Sequence, residues 1–153
     1  MKNIIKKTAL LLLTFGMLSF GESTPEETYS LTVKSEGFRN AKGEILFALY
    51  NKDGSIPDEK YKNYFKRGIS KIDKNGTATF TFTNLPEGNY AVNILHDENK
   101  NGKIDKKFLL PMPSEGIGFS NYKSIGMSNR PNFSKASFLV KSNVEKVIKV
   151  IYL

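Results

Sequence analysis

The chain has 153 residues with 23 basic against 15 acidic side chains, 11 Phe, 7 Tyr, and neither Cys nor Trp. Without cysteine there are no disulfides and no acylated lipobox, so the fold must be held by its core, helped if at all by a metal. The basic residues are mixed with acids and form no Lys/Arg run of nucleic-acid-binding length, so the positive balance reads as solubility.

Residues 1–21 have the layout of a secretory signal peptide. Lys2, Lys6 and Lys7 form a positive start, Ala9 to Phe20 an apolar run, and Ser19 and Gly21 place small residues before a cleavage site at Glu22. The apolar run is 12 residues long, whereas a membrane span needs about 20. The expectation is a cleaved signal, a secreted or periplasmic product, and no membrane span after cleavage. Removing the three signal lysines leaves 20 basic against 15 acidic residues, a net charge of +5. Residues 22–27 are polar, contain Pro25 and read as a short tether; residues 28–153 are long enough for one domain with a single core.

From there strand periods dominate. Leu31 and Val33 alternate with Thr32 and Lys34, and Asn40-Ala-Lys-Gly43 makes a turn. The run Glu44–Tyr50 is continuously apolar after its first residue, as in a strand buried on both faces. From Pro57 to Lys66, Tyr61, Tyr64 and Phe65 fall at i, i+3 and i+4 with Asp58 as N-cap, so a short helix is expected, ended by Gly68. In Thr77–Thr83, Phe80 and Phe82 share one face and four threonines the other. Tyr90, Val92 and Ile94 alternate into the next strand, which ends at His96. Leu109 to Arg130 reads as one long loop. Phe138 and Val140 share a strand face, Ser142-Asn143 is a hairpin signal, and Val144–Leu153 is the last strand. The sum is an all-β sandwich of about seven strands with one short helix.

The most informative stretch is His96–Asp105. Asp97, Asn99, Asn101, Gly102 and Asp105 stand at positions 1, 3, 5, 6 and 9 of an EF-hand-type calcium loop, and Lys103 at position 7 would offer its carbonyl. Two carboxylates and two amides suit a hard, oxygen-seeking cation, so Ca²⁺ is the expected ion, with a structural role. The alternative is a hydrogen-bonded Asx-turn loop without metal. Position 12, normally a bidentate Glu, is Phe108, read as a core anchor; the closing ligand is then Glu115, Asp73 or water. His96, the only histidine, reads as a strand-end hydrogen-bonding residue, because a zinc site needs three or four ligands and no serine sits in a nucleophile elbow.

Leu85-Pro-Glu-Gly-Asn-Tyr90, leading through a strand into His96-Asp-Glu-Asn-x-Asn-Gly-Lys-x-Asp105, resembles the exported bacterial proteins grouped as domain of unknown function 2141. Pro113-Ser-Glu-Gly-Ile-Gly-Phe-Ser-Asn121 and Pro131-Asn-Phe-Ser-Lys-Ala-Ser-Phe138 continue the match in order. The run Leu110-Pro-Met-Pro-Ser-Glu-Gly-Ile-Gly118 departs from the family's tendency to Gly-Ile-Pro-Lys-Glu-Gly-Tyr-Gly. The resemblance implies an Ig-like, transthyretin-like (prealbumin-like) sandwich in the envelope or secreted, and no activity. The reading is therefore a monomeric, non-catalytic module that binds an envelope component or glycan or supports the envelope. Two alternatives stand beside it: a carbohydrate-binding module using Phe119, Tyr122 and the Tyr61–Phe65 aromatics, and a small hydrolase using His96, Glu115 and the loop aspartates.

Overall fold

The structure, a computed structural model, describes residues 26–110 and 112–153. The expected signal peptide and the start of the tether lie outside the described residues. Among the described residues the chain forms eight strands and one short helix: β1 (Thr28–Glu36), β2 (Glu44–Tyr50), β3 (Lys66–Ser70), β4 (Ala78–Pro86), β5 (Gly88–Asp97), β6 (Gly116–Phe119), α1 (Phe133–Ala136), β7 (Phe138–Val140) and β8 (Val144–Lys149). One sheet has the order β4-β1-β8 and the other β3-β2-β5-β6, with β7 paired to the start of β5. β1 and β8 run parallel, and every other strand pair is antiparallel. The result is a nearly all-β, sandwich-like fold.

The apolar run of β2 explains the layering. Ile45, Phe47 and Leu49 point into the core between the two sheets, where they meet Leu31, Val33, Phe82 and Ile94. Leu46, Ala48 and Tyr50 point the opposite way into a second core with Ala91, Leu95, Ile117, Phe119 and Phe133. Period-two geometry sends alternate side chains to opposite faces, so a strand with no polar alternation requires apolar cover on both. Here the smaller sheet covers one face, while the 55–64 segment and the chain from β6 to α1 cover the other. Each fully buried Leu, Ile or Phe stabilises by roughly 1.5–3 kcal/mol relative to exposure, which accounts for a cysteine-free domain having two cores. Among the described residues, both cores are drawn from residue 29 onward.

Several expectations need correction. No helix forms over Pro57–Lys66. Asp58 does accept the N–H groups of Lys62 and Asn63, but Tyr61 turns left-handed at φ +49°. Phe65 then donates its N–H to Leu49 at 2.7 Å and the chain joins the sheet as β3. Pairing with β2 outweighs a single helical turn. Gly68 ends no helix; it sits inside β3, where a Cβ would fall 2.0 Å from the Phe80 ring. The short helix lies instead at α1, capped by the Asn132 side chain on Lys135 N–H.

Leu109–Arg130 is not one loop, because β6 within it pairs with β5. Gly116 and Gly118 let the C-terminal stretch approach β6: added Cβ atoms would lie 2.4 Å from Val150 and 2.9 Å from the Lys149 carbonyl. Ser142-Asn143 joins no hairpin. It passes the chain from β7, paired with β5, to β8, paired with β1, and the Asn143 side chain accepts from Ser30 N–H at 2.9 Å. Phe108 anchors no core, being 91% exposed.

Candidate functional site

The Asp97–Asp105 loop is placed by β5. Strand pairing with β2 continues to Glu44↔Asp97, so Asp97 leaves the sheet fully buried. Gly43 lies against this point in a left-handed conformation (φ +73°), with space for a Cβ only 2.0 Å from the Asp97 carbonyl oxygen. From there the chain curls around its own side-chain oxygens. Asp97 Oδ1 accepts Asn101 N–H at 3.0 Å and Oδ2 accepts Gly102 N–H at 2.7 Å. Asn99 Oδ1 also accepts Asn101 N–H, at 3.0 Å, and Asn101 Oδ1 accepts Lys103 N–H at 3.1 Å. Gly102 takes the left-handed turn at φ +73°, which glycine adopts without a steric penalty.

The side chains at positions 3, 5 and 9 converge on one atom. Asn99 Nδ2 and Asn101 Nδ2 each donate to Asp105 Oδ2 at 2.7 Å. Ile104 between them packs on the second core and donates its N–H to the Glu59 carbonyl at 3.0 Å. The loop is thereby held to the 55–64 segment. Asp97, Asn99, Asn101 and Asp105 are thus brought together around a single curl. Among the described residues, no group of three or more His, Cys, Asp or Glu side chains is clustered so as to hold a metal ion.

Of the residues considered for closing the loop, Glu115 is at its base and Asp73 is not. Glu115 is 5% exposed; its Oε1 accepts Glu98 N–H at 2.9 Å and its Oε2 approaches Asp105 N–H at 3.5 Å. Both ends of the loop are therefore clasped by one carboxylate. Burial, reinforced by the nearby Asp97 and Asp105 charges, pushes the Glu115 carboxyl above its ordinary value, although the two backbone N–H groups oppose the shift. Asp73 serves its own turn, accepting from Asn75 N–H, Thr77 N–H and the Thr77 hydroxyl.

His96 is completely buried. Its Nε2 stands 2.8 Å from the Lys42 carbonyl and its Nδ1 2.6 Å from the Tyr152 hydroxyl. A carbonyl only accepts, so Nε2 carries the hydrogen, and in the neutral ring Nδ1 accepts from Tyr152. Neither nitrogen is open to a metal or a substrate. Phe38 and Tyr152 meet the ring edge-on. Beside it Glu98 receives the Arg39 guanidinium at 2.6 Å, and that hydrogen bond holds the Glu98 carboxyl below its ordinary value.

The aromatics considered as sugar platforms are mostly inside. Tyr61, Phe119 and Tyr122 are 3%, 4% and 6% exposed. Tyr122 stacks edge-on with Phe119, and its hydroxyl is held by Asn132 N–H and the Arg130 carbonyl. Tyr61 donates to Asn93 within the second core, while the Tyr50 hydroxyl lies 3.3 Å from Asp58. Burial and the Asp58 charge push the Tyr50 hydroxyl far up, so it stays protonated. Sequence reasoning missed Tyr152 and Arg39 as neighbours of His96 and the loop residue Glu98. Nothing in their spacing brings residues 39, 98 and 152 together.

The fold and the loop together define a small two-core β-sandwich with an Asx-rich loop clasped by a buried glutamate. The chain belongs to the bacterial family described as "Uncharacterized protein conserved in bacteria (DUF2141)", which it matches over residues 33–148. No curated protein and no solved structure matches the chain. Among the described residues no helix is long and apolar enough to cross a membrane.

Proposed function

We propose that this is an exported, non-catalytic envelope or secreted module whose Asp97–Asp105 loop takes Ca²⁺ as a structural staple. The observation that carries the reading is the convergence of the side chains at loop positions 1, 3, 5 and 9 around a left-handed Gly102. Calcium loops use this curl because alternate oxygens then face one centre. The donors would be the Asp97 and Asp105 carboxylates, the Asn99 and Asn101 amide oxygens and the Lys103 carbonyl. For the two amides this means turning oxygen where nitrogen now meets Asp105. Water would complete the shell, and Glu115 is left out of this donor set because it accepts backbone N–H groups. Its charge lies under the loop and favours a cation there. With two carboxylate ligands the affinity falls in the range of extracellular modules, about 10⁻⁴–10⁻³ M.

The non-catalytic part rests on saturation. Both nitrogens of His96 are engaged and both oxygens of Glu115 face backbone N–H groups. The glycan reading loses its main platforms to the second core.

The cation is tested by thermal melts of the chain from Glu22 in chelator and in millimolar calcium. At ten times its Kd, which millimolar calcium reaches, the ion adds about 1.4 kcal/mol. An Asp105→Ala protein, which keeps the Asp97 hydrogen bonds, should lose most of that increment. No shift with calcium, or an equal shift in Asp105→Ala, refutes the staple. Export is tested separately: mature protein recovered outside the cytoplasm should have a mass that begins at Glu22.

A further inference from the structure

We propose that the turn carrying Phe108, Leu109 and Leu110 is a finger that docks on an anionic lipid bilayer. These three consecutive side chains are 91%, 85% and 52% exposed. They are held out on a formed turn. Lys107 N–H donates to the Met112 carbonyl at 2.8 Å, Leu110 N–H to the Lys107 carbonyl at 3.2 Å, and Lys106 bridges Pro113 below. Leu109 sits at φ +67°, the third position of the turn, where glycine is the usual residue. A left-handed leucine is strained. The strain is accepted at a point that presents a large apolar group to solvent.

Charge identifies the occupant. Between Lys106 and Ser114 there are two lysines, Lys106 and Lys107, and no acid. Lys100 and Lys103 lie on the adjoining loop, Lys103 4.0 Å from the partly exposed Asp105, and Lys107 donates to the Leu153 carbonyl while its side chain stays at the surface. Asp97 and Glu115 are buried beneath it. Lys106 pairs with Glu59 at 2.8 Å, but both side chains are about half exposed, and such a pair contributes little and exchanges readily for a phosphate. A basic collar around an apolar tip is the pattern of interfacial anchoring. Successive residues on a turn point in divergent directions. A protein groove reads one face of such a segment, whereas acyl chains take all of them because hydrophobic burial is non-directional.

The test is co-sedimentation of the chain from Glu22 with vesicles of phosphatidylglycerol and phosphatidylethanolamine, in chelator, so that it stands apart from the calcium reading. Binding to these and weaker binding to phosphatidylcholine vesicles are expected. Each buried apolar side chain is worth about tenfold in partitioning, so Phe108→Asp with Leu109→Asp should lower it roughly a hundredfold. Lys106→Glu with Lys107→Glu should lower it about tenfold or more and remove the preference for anionic lipid. Leu109→Gly relieves the left-handed strain, so it should weaken vesicle binding about tenfold while melting no earlier than the parent. Absence of sedimentation with anionic vesicles overturns the proposal, as does binding unchanged in Phe108→Asp/Leu109→Asp. A dimer in light scattering that the same variant dissolves would overturn it too, identifying the finger as a contact between copies.

Discussion

Asp97→Ala, measured in chelator, isolates what the loop carboxylate does without any ion. Asp97 is fully buried and accepts two backbone N–H groups, Asn101 at 3.0 Å and Gly102 at 2.7 Å. A hydrogen bond to a charged acceptor contributes about 1.5–3 kcal/mol, so losing both costs about 3–6 kcal/mol before any relief. The relief is real, because Asp97 is one of the charges that raise the Glu115 carboxyl, and its removal lets Glu115 ionise more easily. The net expectation is about 3 kcal/mol, out of a total near 6–19 kcal/mol for a domain of this length. At about 4 °C per kcal/mol for this size, the melting temperature should fall by about 12 °C. Asp97→Asn retains one oxygen acceptor and should fall about half as far. Calorimetry or chemical denaturation in chelator is the assay, and calcium should then fail to restore the Ala protein. A loss below about 1 kcal/mol for Asp97→Ala in chelator would refute the claim that this carboxylate organises the loop.

Three further outcomes follow from the same geometry. Gly43→Ala places a Cβ 2.0 Å from the Asp97 carbonyl at φ +73°; the neighbour is backbone and cannot swing away, so a loss above about 3 kcal/mol is expected by urea unfolding. Tyr152→Phe leaves the buried His96 Nδ1 and Arg39 N–H without their partner; a loss of about 1–3 kcal/mol is expected, and imidazole ¹⁵N shifts should keep the Nε2–H tautomer that the Lys42 carbonyl fixes while the Nδ1 resonance moves on losing its hydrogen bond. Acid stability should show two opposing slopes. Glu98, held below the ordinary Glu value of 4.5 by Arg39, contributes stability that is present above that value and lost as pH falls through its folded pKa. Glu115, raised above 4.5 by burial, binds its proton more tightly when folded, so stability falls as pH rises through and above 4.5. Denaturant midpoints from pH 3 to 7 should steepen on the acid side in Glu115→Gln and flatten there in Arg39→Ala; parallel curves for parent and variants would contradict the assignment.

The fold was legible where one face or both faces of a strand left a clear pattern. The Thr/Phe alternation of Thr77–Thr83 and the apolar run Ile45–Tyr50 of β2 both form the strands read from them. The helix expected at Pro57–Lys66 shows where local pattern misleads. Tyr61, Tyr64 and Phe65 have helical spacing, yet β2 offers Phe65 and its successors a ladder of backbone hydrogen bonds that no local period reveals. β6 was hidden for the same reason. Its Gly-Ile-Gly-Phe looks like a loop, and the two glycines make sense only against Val150 and Lys149.

The candidate loop divides in the same way. Sequence by itself determined the order Asp97, Asn99, Asn101, Gly102, Asp105, because a curl around one centre is a local matter of alternate side chains and one left-handed residue. It also determined an all-β domain, since period two is local. Only the tertiary structure decided between Glu115 and Asp73 at the loop's base, buried His96 between Lys42 and Tyr152, and turned Phe108 out to solvent. Those three depend on segments far apart in the chain meeting across the sandwich, and burial is a property of the packed layers that no single segment carries.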